Sequence, residues 1–319
     1  MSTRGSICPP TVVAYRRLVP PPTPLDDVSS GFAGRPVFFK REDTHELGAF
    51  KWRGAVPVVE AYGADGASTV VTASTGNHGA ATAWAAERAG LTAVVFAPES
   101  ASATKLERLD TLGAEIRLVG ADLDEAKERG KAWADEEGLP FFEDGAEPAQ
   151  YAGYGTIAHE ILEDLGRPPA VVVVPVGNGA LVGGIGLVLH ERGTACIGAV
   201  AAAAPVMASS WQAGRPVETD ECDTIADGLA VRVAIPHAVT VLDEVVDEMI
   251  LVSEREIATA LGRLAELGLR VEAAAAAALA AFAQLQETGE GPIVLVMTGR
   301  NIDDELYERA VSDPGSFPA

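Results

Sequence analysis

Ser68-Thr69-Val70-Val71-Thr72-Ala73, running on into Ser74-Thr75-Gly76-Asn77-His78-Gly79, is the stretch from which the fold can be read. A short β-branched run gives a strand, a polar turn follows, and an alanine-rich helical pattern extends from about Asn77 to Ala89. The same rhythm recurs at Thr92 to Ala97, Ala101 to Leu112, Ala114 to Val119, Asp122 to Glu137 and Phe141 to Phe142. Strands alternating with helices are the pattern of βαβ units on a parallel sheet.

A second series begins with the fully apolar run Ala170 to Val176, which lacks the polar alternation of a half-exposed strand and so predicts one covered on both faces. Further strands are expected at Cys196 to Val200, Met249 to Val252 and Ile293 to Met297, with helices over Ser253 to Leu267 and Glu272 to Gln286. The expected fold is α/β with two lobes, each an open, mostly parallel twisted sheet flanked by helices, meeting near residues 143 to 152. The proline cluster Pro20 to Pro24 predicts an extended arm along one lobe.

Composition narrows the function. A chain of 319 residues, 48% hydrophobic with 33 glycines, can bury a large core. Its net charge of -22 repels phosphate backbones, so no nucleic-acid partner is expected. The acidity suits a soluble, self-repelling cytoplasmic protein. Cys8, Cys196 and Cys222 are scattered without metal spacing, which predicts neither disulfides nor zinc and a reducing compartment. The N-terminus lacks a signal-peptide pattern. No uncharged apolar stretch reaches the roughly 18 residues of a membrane span, so no membrane partner is expected. Val271 to Phe282, with Glu272 at its start, reads as an alanine-rich buried helix, within which the run 273–279 is locally biased.

Four segments carry candidate chemistry, each in a turn beside a predicted strand, where open α/β sheets place their ligands. In Leu47-Gly48-Ala49-Phe50-Lys51-Trp52-Arg53, Lys51 opens a helix among small and aromatic residues, where burial and the helix dipole favour a neutral amine. Such an amine can attack a carbonyl and later remove a proton. Taken alone, a lysine opening a helix is ordinarily a solvated cation. Ser74, Thr75, Asn77 and His78 combine polar side chains with free N–H groups at a helix start, an anion site suited to a carboxylate, or an ordinary helix cap. The loop Gly177-Asn178-Gly179-Ala180-Leu181 follows the apolar strand and can wrap a phosphate or simply pack. Thr298, after the last strand, offers a neutral hydroxyl to a ring nitrogen or caps the next turn.

In this order and combination, the four segments resemble the pyridoxal-phosphate β-family (fold type II), closest to its threonine dehydratase and serine racemase branch. The resemblance extends over nearly the whole chain, through Ala152-Gly153-Tyr154-Gly155-Thr156, Thr224-Ile225-Ala226-Asp227-Gly228-Leu229-Ala230-Val231 and Val271-Glu272-Ala273-Ala274. It implies pyridoxal 5'-phosphate carried on Lys51, Phe50 packed on its ring, and Asn77 bonded to the ring hydroxyl. It also implies Gly177, Asn178, Gly179, Ala180 and Leu181 around the phosphate, Thr298 at the ring nitrogen, and Ser74, Thr75, Asn77 and His78 around the carboxylate of an amino-acid substrate. A large cofactor-binding domain of residues 1–50 and 146–319, a smaller mobile domain of residues 51–145, and a homodimer are further implications.

The sequence departs from the family pattern where Asn178 and Ala180 replace glycines and where Arg300 stands in a Gly-Gly-Asn motif. Arg300 either faces solvent or reads a second acidic group. No metal site is expected near Val200, and no room is left for an appended regulatory domain, which favours a catabolic or specialised role. A neutral threonine at the ring nitrogen is expected to leave that nitrogen unprotonated and to favour prompt loss of a β-hydroxyl. The expected activity is therefore elimination from a small hydroxy-amino acid to a 2-oxo acid and ammonia. Thr75 keeps a serine-type racemase open as the rival. A hydroxyectoine-pathway dehydratase, a β-replacement enzyme, a nucleotide-binding oxidoreductase and a silent binding homologue are further alternatives.

Overall fold

The computed structural model describes residues 20–33, 35–219, 222–286 and 289–319, so Cys8 and the N-terminal leader expectation lie outside the described residues. The chain opens with β1 (Leu25–Asp27), β2 (Val37–Arg41) and α1 (Trp52–Ala64). Then come β3 (Thr69–Ala73), α2 (Asn77–Ala89), β4 (Thr92–Ala97), α3 (Ala103–Thr111), β5 (Glu115–Leu118) and α4 (Leu123–Glu137). The second half holds α5 (Pro148–Leu165), β6 (Val171–Pro175), α6 (Ala180–Leu189), β7 (Ala195–Ala201), α7 (Val206–Ala213) and α8 (Pro236–Val245), followed by β8 (Glu248–Val252), α9 (Glu254–Glu266), α10 (Ala273–Gln284), β9 (Ile293–Met297) and α11 (Asp304–Ser312).

Two sheets result, as expected for an α/β chain of two lobes. The smaller has the order β3-β4-β5 and is parallel. Phe141 is not part of a full strand; it joins β3 through one parallel bridge to Val71. The larger has the order β1-β2-β9-β6-β7-β8, parallel except for the antiparallel edge strand β1. The proline segment runs along that edge, where Pro24 O accepts the Arg41 N–H at 2.9 Å.

Alternation along the large sheet's strands builds two cores. Val171 and Val173 of β6 share one with Ile293, Leu295 and the alanines of α10. Val172 and Val174 share the other with Val294, Val296 and residues of α5, α6 and α8. Successive side chains of a strand point to opposite faces, and both faces here are covered, which is why β6 and β9 carry unbroken apolar runs.

The lobes are tied by buried charge. Arg53, in the first turn of α1, donates to Glu42 (2.7 and 2.9 Å), to Glu160 of α5 (2.7 and 2.8 Å) and to Thr156 Oγ1 (2.9 Å). Lys40 of β2 reaches Glu160 at 2.5 Å and the Thr23 carbonyl at 2.6 Å. Burial would raise the Glu160 carboxyl, yet Arg53 and Lys40 hold it below the ordinary range. Two cations thus face two carboxylates with their hydrogen bonds made, the condition under which buried charge is tolerated.

Removing one partner strands the rest. Arg53→Met leaves Glu42 and Glu160 short of a counter-charge and is expected to lower stability by about 3–5 kcal/mol, measured by urea unfolding; a loss below about 1 kcal/mol would show the cluster to be incidental.

His45 predicts a pH effect. Its ring stacks on Trp52 (centroids 4.7 Å apart) and meets the edge of Trp84, and burial pushes its imidazole down to about 4. Below about pH 6.5 the unfolded chain binds a proton that native His45 refuses, so its contribution declines as pH falls to about 4, by about 3 kcal/mol. Measured across that window, His45→Phe should lose stability less steeply than the wild type; parallel curves would exclude His45 as the cause.

Candidate functional site

Lys51 reaches its position through backbone pairing. Phe50 N–H donates to Thr298 O at 3.0 Å, Arg300 N–H donates to Gly48 O at 2.8 Å, and Ala49 bridges Gly299. The segment before α1 is therefore laid against the turn that leaves β9. Lys51 caps α1, and its Nζ lies 5.1 Å from the centroid of the Phe50 ring, which in turn packs on Tyr154.

The amine is only partly exposed, and it is not alone in an apolar niche. Asp144 Oδ2 lies 2.5 Å from Lys51 Nζ, a counter-charge delivered from the turn after Phe142. Gln150 Nε2 donates to the other Asp144 oxygen at 2.6 Å, and His78 Nδ1 lies 3.6 Å away. Burial would raise the Asp144 carboxyl; the charges of Lys51 and His78 instead hold it well below the usual carboxylate range. The sequence reading missed Asp144. It stands just past Phe141 and Phe142, which extend the small sheet beside β3, so the strand-end rule applied to that short run would have pointed to it.

Ser74, Thr75 and Asn77 line the turn from β3 into α2. Ser74 Oγ accepts the Gly76 N–H at 3.2 Å, and a Cβ added at Gly76 would meet nothing within 4 Å, so the turn faces open space. No side chain caps α2, leaving first-turn N–H groups available to an anion. The ring of His78 points elsewhere: it is buried, its Nε2 lies 3.1 Å from Thr72 Oγ1 and 3.2 Å from Phe142 O, and desolvation shifts its pKa downward. What His78 can offer an anion in this turn is its backbone N–H. The Asn77 amide donates from Nδ2 to Glu272 Oε2 at 3.0 Å.

β6 feeds Gly177, Asn178 and Gly179 into α6. Gly177 presses so closely on the Ala226–Val231 stretch that a Cβ would fall 2.3 Å from Gly228 O, and Gly179 has φ 89°. Asn178 Oδ1 takes the Ala180 N–H at 3.1 Å, so Leu181 and the loop amides are what remain for an anion. Beyond β9, Thr298 is buried, and its hydroxyl lies 2.8 Å from Glu272 Oε1. Arg300 is exposed, and its guanidinium donates to the Asp43 carbonyl.

A reactive amine, a glycine cradle at a helix start and a hydroxyl at a strand end fit a phosphorylated heteroaromatic aldehyde. Metal-type donors meet elsewhere, at the opposite end of β7, where His190, Cys196 and Asp247 come within 4.8 Å of one another. Burial pushes the Cys196 thiol up to about 12, and Asp247 already accepts the Cys196 N–H.

Known proteins are similar to this chain in sequence and in fold. The profile of the family described as "Pyridoxal-phosphate dependent enzyme" matches residues 17–299. L-threonine ammonia-lyase of Geobacter sulfurreducens is 37% identical over 275 residues, covering 85% of this chain and 68% of that protein. The processed form of threonine deaminase isoform 2 from Solanum lycopersicum superposes with a TM-score of 0.86 at 27% identity, over 92% of this chain and 88% of that one. Maize serine racemase does so with 0.82 at 29% identity, over 90% and 91%. The chain belongs to the pyridoxal-phosphate dependent enzymes, in their threonine dehydratase and serine racemase branch.

Proposed function

We propose that this enzyme is an ammonia-lyase that removes the β-hydroxyl of a small hydroxy-amino acid, serine or threonine in type, and releases a 2-oxo acid and ammonia. The observation that carries the reading is the placement of Lys51 beside the turn after β9 and, through Asp144 and Gly145, near His78 after β3 and Asn178 after β6, together with an L-threonine ammonia-lyase and a serine dehydratase-like protein among its relatives. Bound pyridoxal phosphate supplies an aldehyde for the substrate amine and a ring that draws electrons from the α-carbon.

The chain's own residues do the rest. Lys51 would hold the aldehyde carbon of the cofactor, and its Nζ, kept in place by Asp144, would take the substrate's α-proton. Ser74, Thr75, Asn77 and the first N–H groups of α2 fix the substrate carboxylate. Gly177 to Leu181, at the start of α6, would hold the phosphate, Phe50 would pack on the ring, and Thr298 would face the ring nitrogen. Residues 51–145, the smaller domain, pivot against residues 1–50 and 146–319 about the start of α1, where Arg53 stays bound to Glu42 and Glu160. Support for this comes from the exposed ion pairs Lys105–Asp227 (3.1 Å) and Arg232–Asp124, which span the two sheets' helices and loops and can break without disturbing a core.

Thr75 favours a second activity. It is partly exposed at the site, and its hydroxyl has no hydrogen-bond partner among the described residues, so it is free to deliver a proton to the face opposite Lys51. A homodimer in the cytoplasm completes the reading, resting on the branch to which the chain belongs; a solution mass near that of one chain would remove the dimer. None of the described helices is long and apolar enough to cross a membrane.

Incubation with L-serine and L-threonine, followed by assay of 2-oxo acid, ammonia and the D-enantiomer, tests both activities. Lys51→Ala should abolish turnover and the borohydride-trapped lysine adduct, and full activity in that variant would defeat the assignment. Thr75→Ala should reduce racemisation well beyond elimination, which loses only one of several carboxylate contacts; equal loss of both would remove the proton-donor role. Gly177→Ala should displace the loop from Gly228 and weaken cofactor binding at least about tenfold, some 1.4 kcal/mol, in a fluorescence titration. Unchanged affinity would move the phosphate elsewhere.

A further inference from the structure

The side-chain amide of Asn77 has its oxygen held from the side away from Glu272. Asn77 Oδ1 lies 2.7 Å from Asn301 Nδ2 and 3.3 Å from Arg108 Nη1. The same two side chains converge on one backbone oxygen: Leu47 O lies 2.7 Å from Arg108 Nη2 and 2.9 Å from Asn301 Nδ2. Arg108 comes from α3, Asn301 from the turn after β9, and Leu47 from the segment before Lys51. Gly48 permits this approach, because its φ is 62° and a Cβ there would fall 2.7 Å from Asn301 Oδ1.

Donor and acceptor roles settle which way each amide points. A backbone carbonyl only accepts, so the Asn301 atom that meets Leu47 O is its NH₂, and that NH₂ in turn requires an oxygen on Asn77. A guanidinium only donates, so Arg108 requires the same oxygen independently. Two separate constraints thus turn the Asn77 NH₂ inward. One of its N–H groups is given to Glu272 Oε2 at 3.0 Å, and the other has no partner among the described residues. Arg108 is half-buried and Asn301 exposed, so water competes for either bond alone; two donors on one oxygen hold the amide where a single one would exchange.

We propose that Arg108 and Asn301 are positioning residues which, hung from Leu47 O, hold the Asn77 oxygen outward, so that the amide can offer only an N–H to the cofactor's ring hydroxyl. This rests on the reading that Lys51 carries the cofactor: the hydroxyl neighbours the aldehyde on the ring, and the Glu272 carboxyl that Asn77 meets faces Lys51. The direction of the bond has a chemical consequence. An N–H aimed at the ring oxygen favours its ionised form, whereas an amide oxygen would favour the protonated one. With one N–H on Glu272 and the other on the ring, the Asn77 side chain is fully committed, and what Asn77 gives the substrate carboxylate is its backbone N–H.

A residue that acts through Asn77 loses its effect when that amide is gone, and a mutant cycle detects this. The experiment is a fluorescence titration of the full chain with pyridoxal phosphate, comparing Arg108→Met and Asn301→Ala in the wild type and in Asn77→Ala. Each is expected to weaken binding at least about fivefold in the wild type, the loss of one hydrogen bond, and by less than about twofold in Asn77→Ala. Equal losses in the two backgrounds, or no loss in the wild type, would overturn the proposal. Arg108→Lys keeps a group that only donates and should retain most of the affinity that Arg108→Met loses; equal losses in those two variants would remove donation as the cause. Unchanged affinity in Asn77→Ala itself would overturn the proposal while leaving Lys51 as the carrier. Borohydride reduction and peptide mapping of the same samples separate the other failure, since an adduct mapped away from Lys51 overturns the site reading.

Discussion

The guanidinium of Arg53 is the interaction on which the architecture turns. It sits two residues beyond Lys51, in the first turn of α1, and is held by Glu42 from the segment after β2 and by Glu160 from the middle of α5. Those contacts fix the entry to α1 against the large sheet, although the rest of that helix packs toward the small lobe. A charge cluster does this better than an apolar contact would. Hydrogen bonds to a planar fork specify angle as well as distance, and a sliding motion that an oily surface would tolerate here breaks several bonds together. Lys51 is thus anchored, through its helix start, to the large sheet while α1 runs on towards the small one.

Around that anchor the parallel sheets supply the rest by geometry. Parallel strands of one sheet end on one side, so β6 and β9 deliver their following turns to a common region, and the bonds of Asn77 to Glu272 and Asn301 bring the turn after β3 to it from the other sheet. The glycine-rich turn after β6 presents helix-start amides, the turn after β3 presents hydroxyls and amides, and the turn after β9 pairs with the backbone before Lys51. The antiparallel bridge between Ala49 and Gly299 stitches the lysine segment to the last strand.

Much of this was legible beforehand. Strand and helix periodicity gave α2, β4 and β9 at their observed limits, since these elements are long, regular and bounded by turn residues. The residues around Lys51 were legible because the motifs that hold them are local. What escaped was what long-range contact creates. Asp144 looks like one carboxylate among many in an acidic chain and becomes the partner of Lys51 only when α5 and the small sheet are assembled. Glu272 was visible as a charge opening an apolar helix, but its bonds to Thr298 and Asn77 join residues far apart in sequence. Even the ring of His78, adjacent to a well-marked motif, turned to Phe142 because helical geometry at the start of α2 directs it there. Sequence periodicity encodes elements; it does not encode which buried polar atom finds which partner.

The groups gathered at Lys51 come from β3, β6, β9, α10 and the turn before α5, so no partly folded chain presents them together. A ligand that needs them all binds the native state and not the unfolded one, and mass action then turns occupancy into stability: at a hundred times the dissociation constant the gain is about 2.7 kcal/mol. Occupancy of the site is therefore also a measure of how firmly the two sheets are held together, since the empty protein opens more often than the loaded one.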